Sequence, residues 1–144
     1  MSTAPVTDKN LHVTVITPAK SVLDTTATSV VVPAFDGELG VLPGHADLLA
    51  LLGTGEMRLT TADGKIRKLA LRGGFLQVNH NKVTVLTPES AAAEDLKPEL
   101  LNTELEKLNA EKPTKLEERD ALAVRRDWLN ARQRVIKGPG SSSH

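Results

Sequence analysis

An alternation of apolar and polar residues between about residues 11 and 86 restricts the fold of this chain more than any other feature. In the first run, Leu11, Val13 and Val15 stand at every second position. A period of two with many β-branched residues is typical of strands that have one buried face. The same alternation recurs in four later stretches, at residues 28–32, 57–60, 76–79 and 83–85.

Turn residues separate these runs at intervals of about 8–12 residues, as in a small β-sandwich. Asp63–Gly64 gives a strong signal, since Asp-Gly between two alternating runs is typical of a tight β-hairpin. The other turn signals are Thr17–Pro18, Gly73–Gly74 and Asn79–Asn81. No helical pattern interrupts the runs, so a parallel βαβ sheet is not expected. We predict an antiparallel β-sandwich of about ten short strands.

Helical spacing replaces the alternation near residue 90. Residues 90–94 are compatible with either a last short strand or a linker. Asp95 is then a candidate N-cap, with Pro98 in the first turn of the helix. The apolar positions that we expect to pack are Leu101, Leu105 and Leu108. Pro113 ends this first helix, because the residue before a proline is pushed out of the α region.

A second helix is predicted from Thr114 to about Lys137. Thr114 and Glu117 have the spacing of a capping box. The apolar residues then follow at intervals of 3, 4, 3 and 4, which is typical of a seam that packs on a partner helix: Ala121, Val124, Trp128, Ala131 and Val135. The fold class is therefore α+β, with a β-sandwich in residues 1–94, an antiparallel two-helix hairpin in residues 95–137 and a flexible tail in residues 138–144.

The composition excludes several classes of protein. The chain has 144 residues and no cysteine, which excludes disulfides, thiolate metal sites and a cysteine nucleophile. Its formal net charge is zero, which argues against non-specific nucleic-acid binding. No apolar run approaches the roughly 18 residues that span a bilayer, and the first residues resemble neither a secretory signal nor a transit peptide. We expect a soluble protein that meets a membrane only through a partner.

No catalytic or metal-binding constellation is recognisable. The four histidines share no ligand spacing: His12, His45, His80 and His144. No glycine-rich phosphate loop precedes a helix, and no serine has the context of a nucleophile elbow. We therefore expect no active site, no metal and no cofactor.

The densest cluster of turn-forming residues is Gly37–His45, with three glycines and one proline. Because apolar residues lie between them, this stretch is predicted to be a rigid corner anchored in the β core. It would present Glu38 and His45. The acids Asp36 and Glu38 are either solvated turn residues or protein contacts, and both interpretations stay open at this point.

The charges are unevenly distributed along the chain. Residues 1–113 hold 11 basic and 14 acidic groups, whereas residues 114–144 hold 7 basic and 4 acidic groups. The basic residues of the second helix form either a solvated face, with cations favoured near the helix C-terminus, or a contact surface for an acidic protein partner. Interleaved acidic residues argue against nucleic acid as that partner.

Three sequence blocks, taken in order, resemble the epsilon subunit family of the bacterial rotary ATP synthase. These blocks are Gly37–Ala46, Gly53–Arg58, and Gly73–Val78 with Asn81–Leu86. The resemblance covers about residues 10–137. It implies a ten-stranded β-sandwich followed by a two-helix hairpin, in a non-catalytic subunit of a larger complex.

The resemblance also implies partners for the sandwich. In this family the sandwich binds the gamma subunit through one face, and its end binds the polar loops of the membrane c-ring. Torque from ion flow thereby reaches the catalytic head. The implied ring contacts are Glu38, Leu39, Gly40, Pro43, Gly44 and His45. The implied location is the cytoplasmic face of the bacterial plasma membrane, without insertion into the bilayer.

For the hairpin, the resemblance implies two positions. It lies folded on the sandwich, or it extends along gamma towards the alpha and beta subunits, where its basic helix meets an acidic beta segment and inhibits ATP hydrolysis. The candidates for that contact are Arg119, Arg125, Arg126, Arg132 and Arg134.

One part of the family pattern is missing. Members that bind ATP in the folded hairpin carry a hydrophobe, Asp, two variable residues, Arg and Ala early in the first helix. Here Lys97, Leu100 and Leu101 stand at the Asp, Arg and Ala positions, so we expect no tight nucleotide binding. The alternatives to the family function are a generic adaptor with a partner-binding hairpin and a small cupin-like enzyme, against which the dispersed histidines argue.

Overall fold

The computed structural model describes residues 10–136. It contains eight strands, which are β1 (Leu11–Ile16), β2 (Ser21–Ala27), β3 (Ser29–Ala34), β4 (Gly37–Val41), β5 (Leu48–Thr60), β6 (Ile66–Asn79), β7 (Lys82–Leu86) and β8 (Ser90–Ala92). A short 3₁₀ turn (Ala93–Asp95) leads to two helices, α1 (Pro98–Ala110) and α2 (Leu116–Ile136). The predicted tail, residues 138–144, and the end of the second helix at Lys137 lie outside the described residues.

The strands follow the order β2-β1-β7-β6-β5-β3-β4, and β8 pairs with β6. All of these pairs are antiparallel except β1–β7, which is parallel. The long strands β5 and β6, with 13 and 14 residues, run through both layers of the sandwich. Each of these two strands supplies one segment to each layer. The eight strands of the described residues therefore form ten strand segments in the two layers, which is the number that was predicted.

The first layer contains β2, β1, β7 and one half of each long strand, residues 48–52 and 75–79. The second layer contains β8, β3, β4 and the other halves, residues 54–60 and 66–72. Alternate residues of both layers meet in a core that consists of aliphatic side chains and Met57. Leu11, Val13 and Val15 are fully buried there, so the predicted alternation is confirmed.

Gly73–Gly74 is not the turn that the sequence suggested. Both residues lie inside β6 with positive φ angles of 74° and 115°, and Gly74 still pairs with Leu52. A Cβ on Gly74 would lie 2.0 Å from the backbone oxygen of Leu86. The two glycines therefore let β6 bend from one layer into the other while it passes close to the end of β7.

The predicted turns at Asp63–Gly64 and Asn79–Asn81 are confirmed. The first joins β5 to β6, where Thr60 pairs with Ile66. In the second, His80 and Asn81 have φ angles of 52° and 65°. Positive φ at both central residues is the requirement of the two-residue hairpin that joins β6 to β7.

The apolar residues of α2 do not form the single seam that the spacing suggested. Leu129 packs with Leu101 and Leu108 of α1, and the partly buried Leu105, Leu122 and Ile136 surround them. Trp128, Ala131 and Val135 instead pack on Ala70 of β6. Because α2 meets two surfaces at once, its apolar residues occupy two adjacent stripes. Val124 belongs to neither and is 51% exposed, since the buried part of α2 begins only at Trp128.

Both helices begin differently from the prediction. The N-cap of α1 is Lys97, without a side-chain cap, while Asp95 belongs to the 3₁₀ turn. In α2 the first helical bond runs from Arg119 N–H to Lys115 O, at 3.0 Å. Glu118, rather than Glu117, accepts from the backbone N–H groups of Thr114 and Lys115. The capping acid is therefore one residue later than the sequence indicated.

Candidate interaction surfaces

The turn after β4 is held in place by backbone geometry and by a neighbouring loop. His45 N–H donates to Leu42 O at 3.0 Å, which closes a four-residue turn. Pro43 at its second position and Gly44 at its third, with φ of +89°, are the residues that a type II turn requires. Gly44 N–H also donates to the Asn81 side-chain oxygen at 2.7 Å. The turn is therefore tied to the β6–β7 hairpin.

The other half of the predicted corner lies within β4. Glu38 is 60% exposed and pairs with Arg58, at 3.2 Å, while Leu39 packs against the core. Glu38 and Pro43 are five positions apart along the chain, which spans up to about 16 Å when extended. The structure thus divides the stretch into an acidic position on β4 and a fixed turn beyond its end.

Arg58 connects Glu38 to a pair of buried charged residues, Glu56 and Lys68. Its Nη1 atom lies 3.1 Å from Glu56 Oε1, and Lys68 Nζ lies 3.3 Å from Glu56 Oε2. The hydrogen bond to Glu38, followed by that to Glu56, raises the pKa of Arg58 above its ordinary value despite partial burial. We call Glu38, Arg58, Glu56 and Lys68 the charge cluster.

The inner end of the charge cluster lies beneath the hairpin. Glu56 pairs in register with Ala70, which is buried under α2, and α2 packs against both β5 and β6. Glu56 and Lys68 are 6% and 9% exposed. Nothing in the sequence pattern indicates this buried pair, because alternation places both side chains on an outer face without showing that a helix covers it.

The opposite outer face carries uncovered apolar side chains. The register places Ile16 beside Leu86, Leu86 beside Phe75, and Phe75 beside Leu51. Phe35 follows at the end, where its backbone N–H donates to Leu51 O at 2.9 Å. We call these five residues the apolar row. Residues paired in register point to the same side of a sheet, so the row crosses the first layer and reaches the end of β3.

The exposure of the apolar row is large for side chains of this size. Leu51, Phe75 and Leu86 are 52%, 49% and 50% exposed, and Phe35 is 79% exposed. An open apolar groove of about 430 Å³ lies along one end of the row, between Ile16, Pro18, Phe75, Leu86 and Pro88. A contiguous apolar patch of this kind usually marks a protein contact.

The arginines of α2 differ in whether they form ion pairs or hydrogen bonds with α1 and the residue that follows it. Arg132 pairs with Glu104 at 2.5 Å and Arg125 with Glu111 at 2.8 Å, while Arg126 donates to the Asn109 side-chain oxygen at 3.1 Å. Arg119 and Arg134 are exposed. Within residues 10–136, these two arginines form no ion pair.

Within the part of the chain that the structure describes, no three His, Asp or Glu side chains are grouped so as to hold a metal. Between residues 10 and 136, neither helix is long and apolar enough to span a membrane.

A β-sandwich with a docked two-helix hairpin on one face and an uncovered apolar row on the other defines a class of small two-part interaction proteins. Residues 10–93 match the family model of the ATP synthase delta/epsilon chain β-sandwich domain. The chain belongs to the ATP synthase delta/epsilon chain family.

A curated relative and two solved structures agree with this assignment. The chain is 37% identical over 122 residues to an ATP synthase epsilon chain of Synechococcus sp. (strain JA-2-3B'a(2-13)), covering 85% of this chain and 88% of the relative. A chain of the Euglena gracilis mitochondrial ATP synthase, in an OSCP/F1/c-ring structure, has the same fold, with a TM-score of 0.79 and 21% identity over 90% of this chain and 82% of that chain. A central stalk/c-ring structure of the Tetrahymena thermophila enzyme contains another, with a TM-score of 0.64, 15% identity and coverage of 90% and 97%.

Proposed function

We propose that this chain is a non-catalytic rotor subunit of an ATP synthase, which joins the gamma subunit to the membrane c-ring. Residues 1–94 bind both partners, and residues 95–137 regulate ATP hydrolysis. The complex lies on the cytoplasmic face of a bacterial plasma membrane. The family assignment supports the first statement, and so do the two solved structures with this fold, which are of assemblies that include a c-ring.

The apolar row is the observation that carries the proposal. The hairpin covers part of the outer face of the second layer, and among residues 10–136 the row is a large apolar surface that remains open to a partner that stays bound. Gamma is the partner that the family resemblance implies for one face of the sandwich. Burying four to five aliphatic and aromatic side chains stabilises a complex by several kcal/mol before association costs, at about 25 cal/mol per Å².

We assign the ring contact to Glu38 and the Pro43–His45 turn. Glu38 remains 60% exposed although it pairs with Arg58, and the Pro43–His45 turn is fixed to the β6–β7 hairpin. A polar, rigid surface suits contact with the polar loops of a ring, since charged groups at a rim set orientation and specificity. The inhibitory contact with beta is assigned to the five arginines of α2.

Gel filtration with purified gamma tests the proposal. We expect a stable one-to-one complex with the unaltered chain, and loss of that complex with Leu51→Ser or Phe75→Ser. Ile66→Ser is the matched control, because Ile66 is equally exposed at 51% but lies at the other end of β6. Independent elution of the unaltered chain and gamma would refute the assignment. Equal weakening by all three variants would remove the apolar row as the contact.

A further inference from the structure

The exposed carboxylate of Glu38 is tied to the middle of the sheet, although its own strand lies at the end of the strand order. Strand β4 comes last in that order and pairs with β3. Glu38 lies opposite Pro33 on β3, and Arg58 of β5 lies opposite Val31 on the same strand. The ion pair between Glu38 and Arg58 therefore passes over β3, across two strand spacings of about 4.8 Å each.

Arg58 engages both oxygens of the Glu38 carboxylate. Its Nη1 atom donates to Oε2 at 3.2 Å, and its Nη2 atom donates to Oε1 at 3.5 Å. Such a two-pronged contact fixes the orientation of a carboxylate as well as its position. A lysine at position 58 would supply a point charge without this fork.

Arg58 is itself held from the buried side. Its Nη1 atom also donates to Glu56 Oε1 at 3.1 Å, and Lys68 Nζ lies 3.3 Å from the other oxygen of Glu56. Side-chain exposure falls along the charge cluster, from 60% at Glu38 to 33% at Arg58 and 6% at Glu56. The charge cluster therefore has a buried inner end and one exposed carboxylate at its outer end.

We propose that Arg58 is a positioning residue for the ring contact, which holds the Glu38 carboxylate in one orientation and is itself held by Glu56. This inference rests on the proposed function, which assigns the ring contact to Glu38. An ionised carboxylate only accepts hydrogen bonds and has about four acceptor sites, of which Arg58 occupies two. The ring group that it fits is therefore a hydrogen-bond donor of a polar loop, an amide, guanidinium or ammonium group, which can bind without displacing Arg58.

A double-mutant cycle on ring binding tests the proposal. The full chain, in complex with gamma, is titrated onto purified c-ring in detergent, with Glu38→Gln, Arg58→Gln and both substitutions together. We expect each single variant to weaken ring binding about two- to fivefold, as for an exposed ion pair. The double variant should bind no more weakly than Glu38→Gln, because Arg58 acts through Glu38.

Two further variants separate positioning from a general loss of structure. Arg72→Gln is the matched control, because Arg72 is 38% exposed and pairs with the exposed Glu89 at 2.9 Å; it should bind the ring as the unaltered chain does. Arg58→Lys keeps a positive charge beside the buried Glu56 but lacks the fork. It should therefore fold, as checked by chemical denaturation, and still bind the ring more weakly than the unaltered chain.

The pattern of losses distinguishes the proposal from the function on which it rests. Additive losses in the double variant would overturn the proposal, because Arg58 would then act independently of Glu38. Weak binding by Glu38→Gln with normal binding by both Arg58 variants would retain the ring contact and overturn the positioning role. Normal binding by Glu38→Gln would refute the ring contact at Glu38, and the positioning role with it.

Discussion

Replacing Trp128 with alanine should release the hairpin from the sandwich without unfolding the sandwich. Trp128 is 6% exposed and packs with Ala70, Ala131 and Val135, whereas the sandwich core contains none of these residues. A buried tryptophan removes about 150–250 Å² from water, which corresponds to roughly 4–6 kcal/mol at 25 cal/mol per Å². The alanine retains part of that burial, so we expect a loss of about 3–4 kcal/mol of docking free energy.

Each 1.4 kcal/mol is a factor of ten in an equilibrium constant, so the undocked population should rise by about 100- to 1,000-fold. Native-state hydrogen exchange measures this, because helices released from the sandwich are only marginally stable in water and their amides then exchange, whereas sandwich amides exchange through global unfolding. Val124→Ala is the control on the same helix, since Val124 is 51% exposed. Equal acceleration in helix and sandwich amides would refute the reasoning, because it would show that hairpin and sandwich unfold as one unit.

Five further substitutions make three tests of the structure. Gly74→Ala should destabilise the sandwich by at least about 3 kcal/mol in chemical denaturation, because the new Cβ would lie 2.0 Å from Leu86 O at a position with positive φ. Gly64 also has a positive φ but open space around it, so Gly64→Ala should cost only about 1–2 kcal/mol. Equal losses of stability in the two variants would contradict the close approach at Gly74. Glu56→Gln should cost about 3–5 kcal/mol of stability in the same assay. Lys68→Met should cost less, because Glu56 keeps Arg58 as a partner when Lys68 is lost. A larger loss of stability in Lys68→Met than in Glu56→Gln would show that Arg58 does not compensate. Glu38→Gln should change stability by less than about 1 kcal/mol, since this carboxylate is 60% exposed, and a larger loss would place Glu38 among the structural residues.

The sandwich was predictable because its signals are local. Alternation identified the buried positions Leu11, Val13 and Val15, and Asp63–Gly64 identified a hairpin from the conformational preferences of two residues. Gly73–Gly74 was misread because a glycine pair has the same sequence appearance in a turn and in a strand that bends between layers. Only the position of Leu86 O in the fold distinguishes the two.

The interaction surfaces depended on tertiary neighbours that periodicity does not encode. The spacing of Trp128 and Val135 predicted burial correctly, but their partner is the sheet rather than α1. Alternation gives no sign that Glu56 and Lys68 are buried, because the helix that covers their face comes much later in the chain, at Leu116–Ile136. The apolar row was equally hidden, since Leu51, Phe75 and Leu86 come from three strands and become neighbours only through register.

Site-directed cross-linking in membranes tests the central claim, that one surface meets the ring and another meets gamma. The chain has no cysteine, so a single introduced thiol reports one position. We expect Glu38→Cys to cross-link to a c subunit and Leu51→Cys to cross-link to gamma. Asp63→Cys, in the exposed β5–β6 turn, should cross-link to neither. Labelling of gamma and ring from Asp63→Cys, with none from Glu38→Cys and Leu51→Cys, would contradict the account.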